Sequence, residues 1–423
     1  QSAGTDPLYL TQWYLKNTGR LTGYSGLAAG EDLQVENVWA SGLRGENIRV
    51  AVVDDGLEVT HQDLAPNVVE GASYNYVSDG SWQRGSPWPL PCYANQFHGT
   101  AVGGVVAARD GNSLGGRGVA PRTSLVGYNA MATDRDSDML DALVRDQARN
   151  HIYNNSWGAT DNGHLATPEP NWSSYNDTLR NGLKTGRNGL GAIYVFSGGN
   201  GAIQTDYSSL DGGVSAMGIV NVCATNAMGK RAPYSERGAN LTVCAPSADA
   251  TDDQQPEVTT TSVRNDYTHT FNGTSASAPM VSGVIALMLQ ANPRLTWRDV
   301  PLILARTARQ VDASKGGWSE LRSPLAGVTG HDVLRYSHHY GFGVVDAEAA
   351  TRLARSWQSV GGSAEQRKCG PFLMNVSKPI PEASTVTQQQ ADSTPASMDD
   401  GSAEEQYFET LTELANSLDY NKA

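Results

Sequence analysis

Between about Asn47 and Leu289, short apolar runs rich in β-branched residues alternate with stretches of small residues at helical spacing. Ile48-Arg49-Val50-Ala51-Val52-Val53 reads as a buried strand that stops at Asp54-Asp55-Gly56. Ser124–Tyr128, Ala192–Phe196 and Ile219–Cys223 have the same character. Runs that stay apolar, instead of alternating with polar residues, suit strands covered on both faces. Thr100 to Ala108 and Met139 to Arg149 read as helices between them. The alternation predicts an α/β fold with a mostly parallel central sheet flanked by helices. The longest apolar run, Val281 to Leu289, is broken by Ser282 and Gly283. It falls well short of the roughly 18 residues a membrane helix needs.

The pattern changes after about Val360. Pro379 to Gly401 is rich in Pro, Ser, Thr, Gln and Asp, the composition of a linker or disordered segment. Glu404 to Leu418 is acidic, with Tyr407, Leu411, Leu414 and Leu418 at helical spacing. It reads as a solvated helix that docks weakly, or as a lid or partner-binding helix. Residues 1–360 are therefore expected to form one domain and 361–423 a linker and an irregular acidic tail.

Composition narrows the function classes. Of 423 residues, 39% are hydrophobic and 18% charged, which excludes a wholly disordered chain. Thirty-one basic against 44 acidic residues give a net charge of −13. Such a surface disfavours nucleic acid and anionic membranes and favours cationic ligands. Cys92, Cys223, Cys244 and Cys369 are too far apart for a CxxC motif, and their even number permits two disulfides. The eight histidines show no HExxH and no Cys/His cluster, so zinc is not expected. The chain opens on Gln1 in a polar stretch, which fits either a cytoplasmic protein or one whose leader has been removed.

Three segments place a reactive side chain where a strand ends or a helix begins, beside small residues. Asp54 follows VAVV, His98 opens HGTAVGGVVAA, and Ser275 lies in NGTSASAPMVSGVIALML. Taken singly, these are a turn, a cap and a packing residue. Together, in the order Asp, His, Ser, they match one known chain order of a Ser-His-Asp triad. Ser275 Oγ would be the nucleophile, His98 its base and then the acid for the leaving amine, and Asp54 the group that orients the imidazole. A helix N-terminus at Ser275 offers backbone N–H donors to an oxyanion, and Asn200 in VFSGGNG offers a side-chain donor.

VAVVDDGLEVTHQDL, HGTAVGGVVAA, NNSWGATDNG, VFSGGNG and NGTSASAPM together resemble the subtilisin-like serine proteases, most closely the kexin/furin branch of processing proteases. The resemblance runs from about Asp6 to Trp357. It implies the three-layer subtilisin-like fold, Asp54, His98 and Ser275 as triad, and Asn200 as oxyanion residue. It also implies that Asp161 and Asp211 line the pocket for the side chain before the scissile bond, where a carboxylate favours Lys or Arg. Asp55 matches the residue that reads the second basic side chain of paired sites. Another acidic position of that subsite is Asn95 here, so single basic residues are expected to suffice. The backbone of Ser156-Trp157-Gly158 is expected to pair with an extended substrate.

The resemblance further implies bound Ca²⁺, a hard cation that takes 6–8 oxygens. One site maps onto the Asp6 and Asp63 carboxylates, the Asn112 side chain and the carbonyls of Arg109, Leu114 and Gly116. A second maps onto Asp161, Asp206 and Glu236. Cys223 and Cys244 close two strands expected to lie side by side and so to pair, with Cys92–Cys369 as the remaining pair. The branch usually adds a β-barrel P-domain, which the acidic tail does not match, and a removable pro-segment or separate chaperone. The expectation is a secreted, calcium-stabilised serine endopeptidase that cleaves protein or peptide substrates after Lys or Arg, paired sites included, without nucleic acid or a membrane span. The rivals are a catalytically silent relative that binds basic peptides, and a degradative protease of broad specificity.

Overall fold

The computed structural model describes residues 6–78, 83–91, 96–133, 135–162, 172–322 and 333–364. The chain divides into two compact units, Gln1–Arg367 and Lys368–Ala423. The second unit, with the expected linker and tail helix, lies outside the described residues, as do Cys92, Asn95 and Cys369.

Six parallel strands make the central sheet: β1 (Arg49–Val53), β2 (Ser124–Tyr128), β3 (Ile152–Asn155), β4 (Ile193–Ser197), β5 (Ile219–Thr225) and β6 (Val243–Pro246), in the order β2-β1-β3-β4-β5-β6. Along β1, Val50 and Val52 enter one apolar cluster while Ala51 and Val53 enter another across the sheet. This two-sided burial is why the strand sequences stay apolar throughout.

Helices α1 (Glu36–Ala40), α2 (His98–Ala107), α3 (Asp136–Ala142), α4 (Trp172–Thr185), α5 (Thr274–Ala291), α6 (Asp299–Thr307) and α7 (Ala347–Ser356) complete the layers. The sheet is parallel and lies between helices, the α/β architecture that the sequence predicts. Helix α5 is long and apolar enough to cross a membrane by length and composition, but 83% of it is buried inside the molecule as a core helix.

Three local points differ from the sequence reading. The helix expected over Met139 to Arg149 is α3, which starts at Asp136 and ends at Ala142. Asp136 and Asp138 favour the earlier start at the positive end of the helix. Beyond it Asp146 takes a left-handed φ of 53°, incompatible with a continuing helix. The antiparallel hairpins β7–β8 (Val258–Ser262, Asp266–Phe271) and β9–β10 (Ser319–Arg322, Val333–Tyr336) carry mixed polar sequences that hid them. The first unit also runs past 360: Gly361 O accepts from Thr296 Oγ1, and Ser363 Oγ donates to Leu183 O.

Cys223 and Cys244 are register partners on β5 and β6 and form a disulfide with Cα atoms 4.2 Å apart.

Candidate active site

The strand order reverses between β1 and β3, and crevices at the carboxyl ends of such strands are where open α/β sheets hold ligands. Asp54 directly follows β1, Ser156 follows β3 and Asn200 lies just beyond β4. Helix α2 begins at His98, whose Nδ1 lies 2.8 Å from Asp54 Oδ1. Its second residue must be glycine for this approach: a Cβ on Gly99 would stand 2.1 Å from the Gly56 carbonyl oxygen and 2.8 Å from Asp54 Cβ.

Asp55 turns back onto the same helix start. Its Oδ1 accepts from Gly99 N at 2.8 Å and its Oδ2 from His98 N at 3.4 Å. Phe271, at the end of β8, meets the imidazole edge-on at 5.4 Å. Burial by itself lowers the His98 pKa, but the Asp54 charge, its hydrogen bond and the Asp55 charge outweigh burial and raise it to about 9. Burial, then the neighbouring Asp54 charge, pushes the Asp55 carboxyl up.

Ser275 occupies the first turn of α5, whose early N–H groups have no partner within the helix. The turn is entered through Gly273 at φ 79°, where a Cβ would crowd Asn200 Oδ1 at 3.3 Å. Asn200 Oδ1 accepts from both Thr274 N (2.8 Å) and Thr274 Oγ1 (3.0 Å). Those two donors fix the amide orientation and leave Nδ2 as its donor toward the site. Ser275 and Ser156 are cross-linked, each hydroxyl donating to the other's carbonyl at 3.0 Å. Among the described residues Ser275 Oγ therefore rests on Ser156, and a rotation about χ1 is needed to turn it elsewhere. Catalytic contacts often tighten only when substrate binds.

Beside this constellation lies a cavity lined by Gly158, Asp161, Asp206, Tyr207, Asp211 and Glu236. Asp161, Asp206 and Glu236 can each offer an oxygen within 4.8 Å of the others. Burial, and then the nearby aspartates, push the Glu236 carboxyl up to about 7 despite its bond from Gly201 N. The Asp161 carboxyl is likewise raised by burial and by Asp206. Asp211 Oδ2 lies 3.8 Å from where a Cβ on Gly158 would stand, so its carboxylate approaches the Ser156-Trp157-Gly158 backbone. Trp157 is anchored by its Nε1 donating to Val53 O at 2.9 Å.

The loop after α2 brings Asp6, Asp63 and Asn112 together. Asn112 Nδ2 donates to Asp63 Oδ1 at 2.7 Å, and Gly111 N donates to Asp6 Oδ1 at 2.8 Å. Asp63 Oδ2 is buried and makes no hydrogen bond of good geometry. Burial, with the Asp6 charge adding to it, raises the Asp63 carboxyl to about 7. Among the described residues the carbonyls of Arg109, Leu114 and Gly116 accept no hydrogen bond. An all-oxygen set with an orphaned buried carboxylate oxygen fits a hard cation. Asn112 Oδ1, however, accepts from Leu114 N, so its amide would have to turn to ligate.

Sequence reasoning missed Thr274, Phe271, Tyr207 and Arg117. Thr274 had a signal, its place within NGTS; the others are set by packing alone.

The chain matches the model of the subtilase family over residues 45–343. It is 35% identical over 364 residues to neuroendocrine convertase 2 of Drosophila melanogaster, covering 84% of this chain and 52% of that protein. It is 35% identical over 359 residues to the dibasic-processing endoprotease of Schizosaccharomyces pombe, covering 84% and 46%. The chain thus spans about half the length of the curated relatives it matches. Among solved structures it resembles the Aeromonas sobria serine protease in complex with its chaperone, with a TM-score of 0.71 and 29% identity over 84% of this chain and 68% of that one.

Proposed function

This chain belongs to the subtilase family, and from that premise we propose that it is a serine endopeptidase that cleaves after Lys or Arg. Ser275 attacks the scissile carbonyl, His98 takes its proton and returns it to the leaving amine, and Asp54 holds Nδ1 and stabilises the imidazolium. The backbone N–H of Ser275 and Asn200 Nδ2 receive the oxyanion. The single observation that carries the specificity is the cavity with four carboxylates, Asp161, Asp206, Asp211 and Glu236, beside the Ser156-Trp157-Gly158 backbone. A cationic side chain relieves the repulsion such a cluster stores, whereas an apolar one leaves it uncompensated. Asp55 is the candidate reader of a second basic residue.

Calcium belongs to the same reading. Asp161, Asp206 and Glu236 would hold one ion, which supplies charge neutralisation beneath the pocket and leaves Asp211 to pair with the substrate. Asp6, Asp63, Asn112 and the three free carbonyls would hold another behind α2. The disulfide between β5 and β6 supports an oxidising, secretory destination. The relative solved with a chaperone supports a separate folding partner as one route to maturation.

The test is turnover of fluorogenic peptides ending in Arg-Arg, Lys-Arg, Ala-Arg and Ala-Phe, with and without EDTA, against Ser275→Ala. Ser275-dependent cleavage of the basic peptides, weakened by chelation and selectively by Asp211→Ala, is expected. Preference for Ala-Phe would leave the fold and overturn the acidic pocket. Tight binding of basic peptides without hydrolysis would favour a silent binding protein.

A further inference from the structure

The calcium loop behind α2 already contains a cation of the protein's own. Arg117 places its guanidinium 2.6 Å from Asp6 Oδ2, and the Asp6 side chain is fully buried. The guanidinium is held over the Tyr9 ring at 4.1 Å and near the Trp39 ring at 5.5 Å, and its backbone N donates to Gln12 Oε1 at 2.8 Å. Arg117 is thus held against aromatic faces, with its backbone anchored at Gln12. Of the four carboxylate oxygens in the loop, Asp6 Oδ1 serves Gly111, Asp6 Oδ2 serves Arg117 and Asp63 Oδ1 serves Asn112. Asp6 Oδ2 and Asp63 Oδ2 are both buried without a hydrogen bond of good geometry, and of these two Asp6 Oδ2 has the Arg117 ion pair.

We propose that Arg117 is a tethered counter-charge of this site: it holds the loop together without an ion and weakens the binding of calcium. The proposal rests on the calcium reading above and adds a regulator to it. The physical basis is additive charge. Two buried carboxylates repel each other when nothing stands between them, and a fixed +1 removes much of that repulsion. The same +1 sits close to the position a divalent ion must occupy and opposes it electrostatically. The loop continues directly from the helix that carries His98, so its order without calcium bears on how the catalytic base is held.

The experiment measures thermal unfolding of the full chain, in a Ser275→Ala background to prevent self-digestion, in EGTA and across a calcium titration. Arg117→Met keeps an apolar stem against Tyr9 and Trp39 but removes the charge. It should melt lower than the parent in EGTA, show a larger calcium-induced shift, and bind calcium about tenfold more tightly. Arg117→Lys retains the charge and should respond to calcium as the parent does, which keeps the test open if the methionine variant folds poorly. Adding Asp63→Asn should abolish the extra response, assigning it to this loop. Equal calcium shifts in the parent and Arg117→Met would overturn the counter-charge while leaving calcium binding intact. No shift in either protein would instead overturn the calcium reading itself.

Discussion

Asp54 and His98 are 44 residues apart in sequence and 2.8 Å apart in space, and their pairing controls a measurable pH dependence. In the proposed mechanism His98 must be neutral to accept the Ser275 proton. With its pKa raised to about 9, kcat/KM for an Arg peptide should climb with pH through about 9. The shift also acts on stability. A raised imidazole contributes fully below its ordinary value of about 6.5, and that contribution is lost as pH rises through about 9. Asp54→Asn removes the charge that raises it, so the midpoint of the rate profile should move toward neutrality. An unmoved midpoint would show that another group titrates. The residues of the proposed triad could be picked out from the sequence because strand ends and helix starts flank them. The hydroxyl of Ser275 resting on Ser156, and the double grip of Thr274 on Asn200, were not legible, since both depend on two segments meeting.

At the scale of elements, β5 and β6 are tied by hydrogen bonds and by the Cys223–Cys244 bridge across 21 residues of sequence. Closing a loop of that length restricts the unfolded chain by about 3 kcal/mol. A Cys223→Ala, Cys244→Ala double variant should therefore shift the urea midpoint down by a corresponding amount at nearly constant slope, with the fold retained. A variant as stable as the parent would overturn the loop-closure contribution. The central strands could be read from the chain because burial on both faces demands an unbroken apolar run. The β7–β8 hairpin could not: DYTHTF is half exposed, and only its packing against α2 puts Phe271 on the imidazole.

For the molecule as a whole, the first unit ends later than the change in composition suggests. Buried Asp299 accepts from Trp357 Nε1, Ser359 Oγ and Val360 N, all beyond α7, as well as from Thr296, and together these bonds hold its carboxyl below the usual range against burial. A chain ending at Arg367 should melt with the full chain. One ending at Ser356 leaves that carboxylate with only the Thr296 N–H and hydroxyl as donors and should lose about 3 kcal/mol or more, since hydrogen bonds to charged groups are worth about 1.5–3 kcal/mol each. Calorimetry of the two truncations checks this, and equal midpoints would remove the argument.

By itself the sequence determined the α/β class, the order of the reactive residues and their family, because buried strands, helix starts and glycine-dependent turns leave local marks. Which carboxylates share a cavity was expected from the family resemblance, but no local pattern encodes it. Asp161 follows β3, Asp206 and Asp211 follow β4 and Glu236 follows β5, and the sheet order gathers these three connections. Tertiary structure alone decided that Arg117 answers Asp6, a pairing across 111 residues. The physical reason is range: propensity and periodicity act over a few residues, whereas charge and desolvation act on whatever the fold brings within a few ångströms.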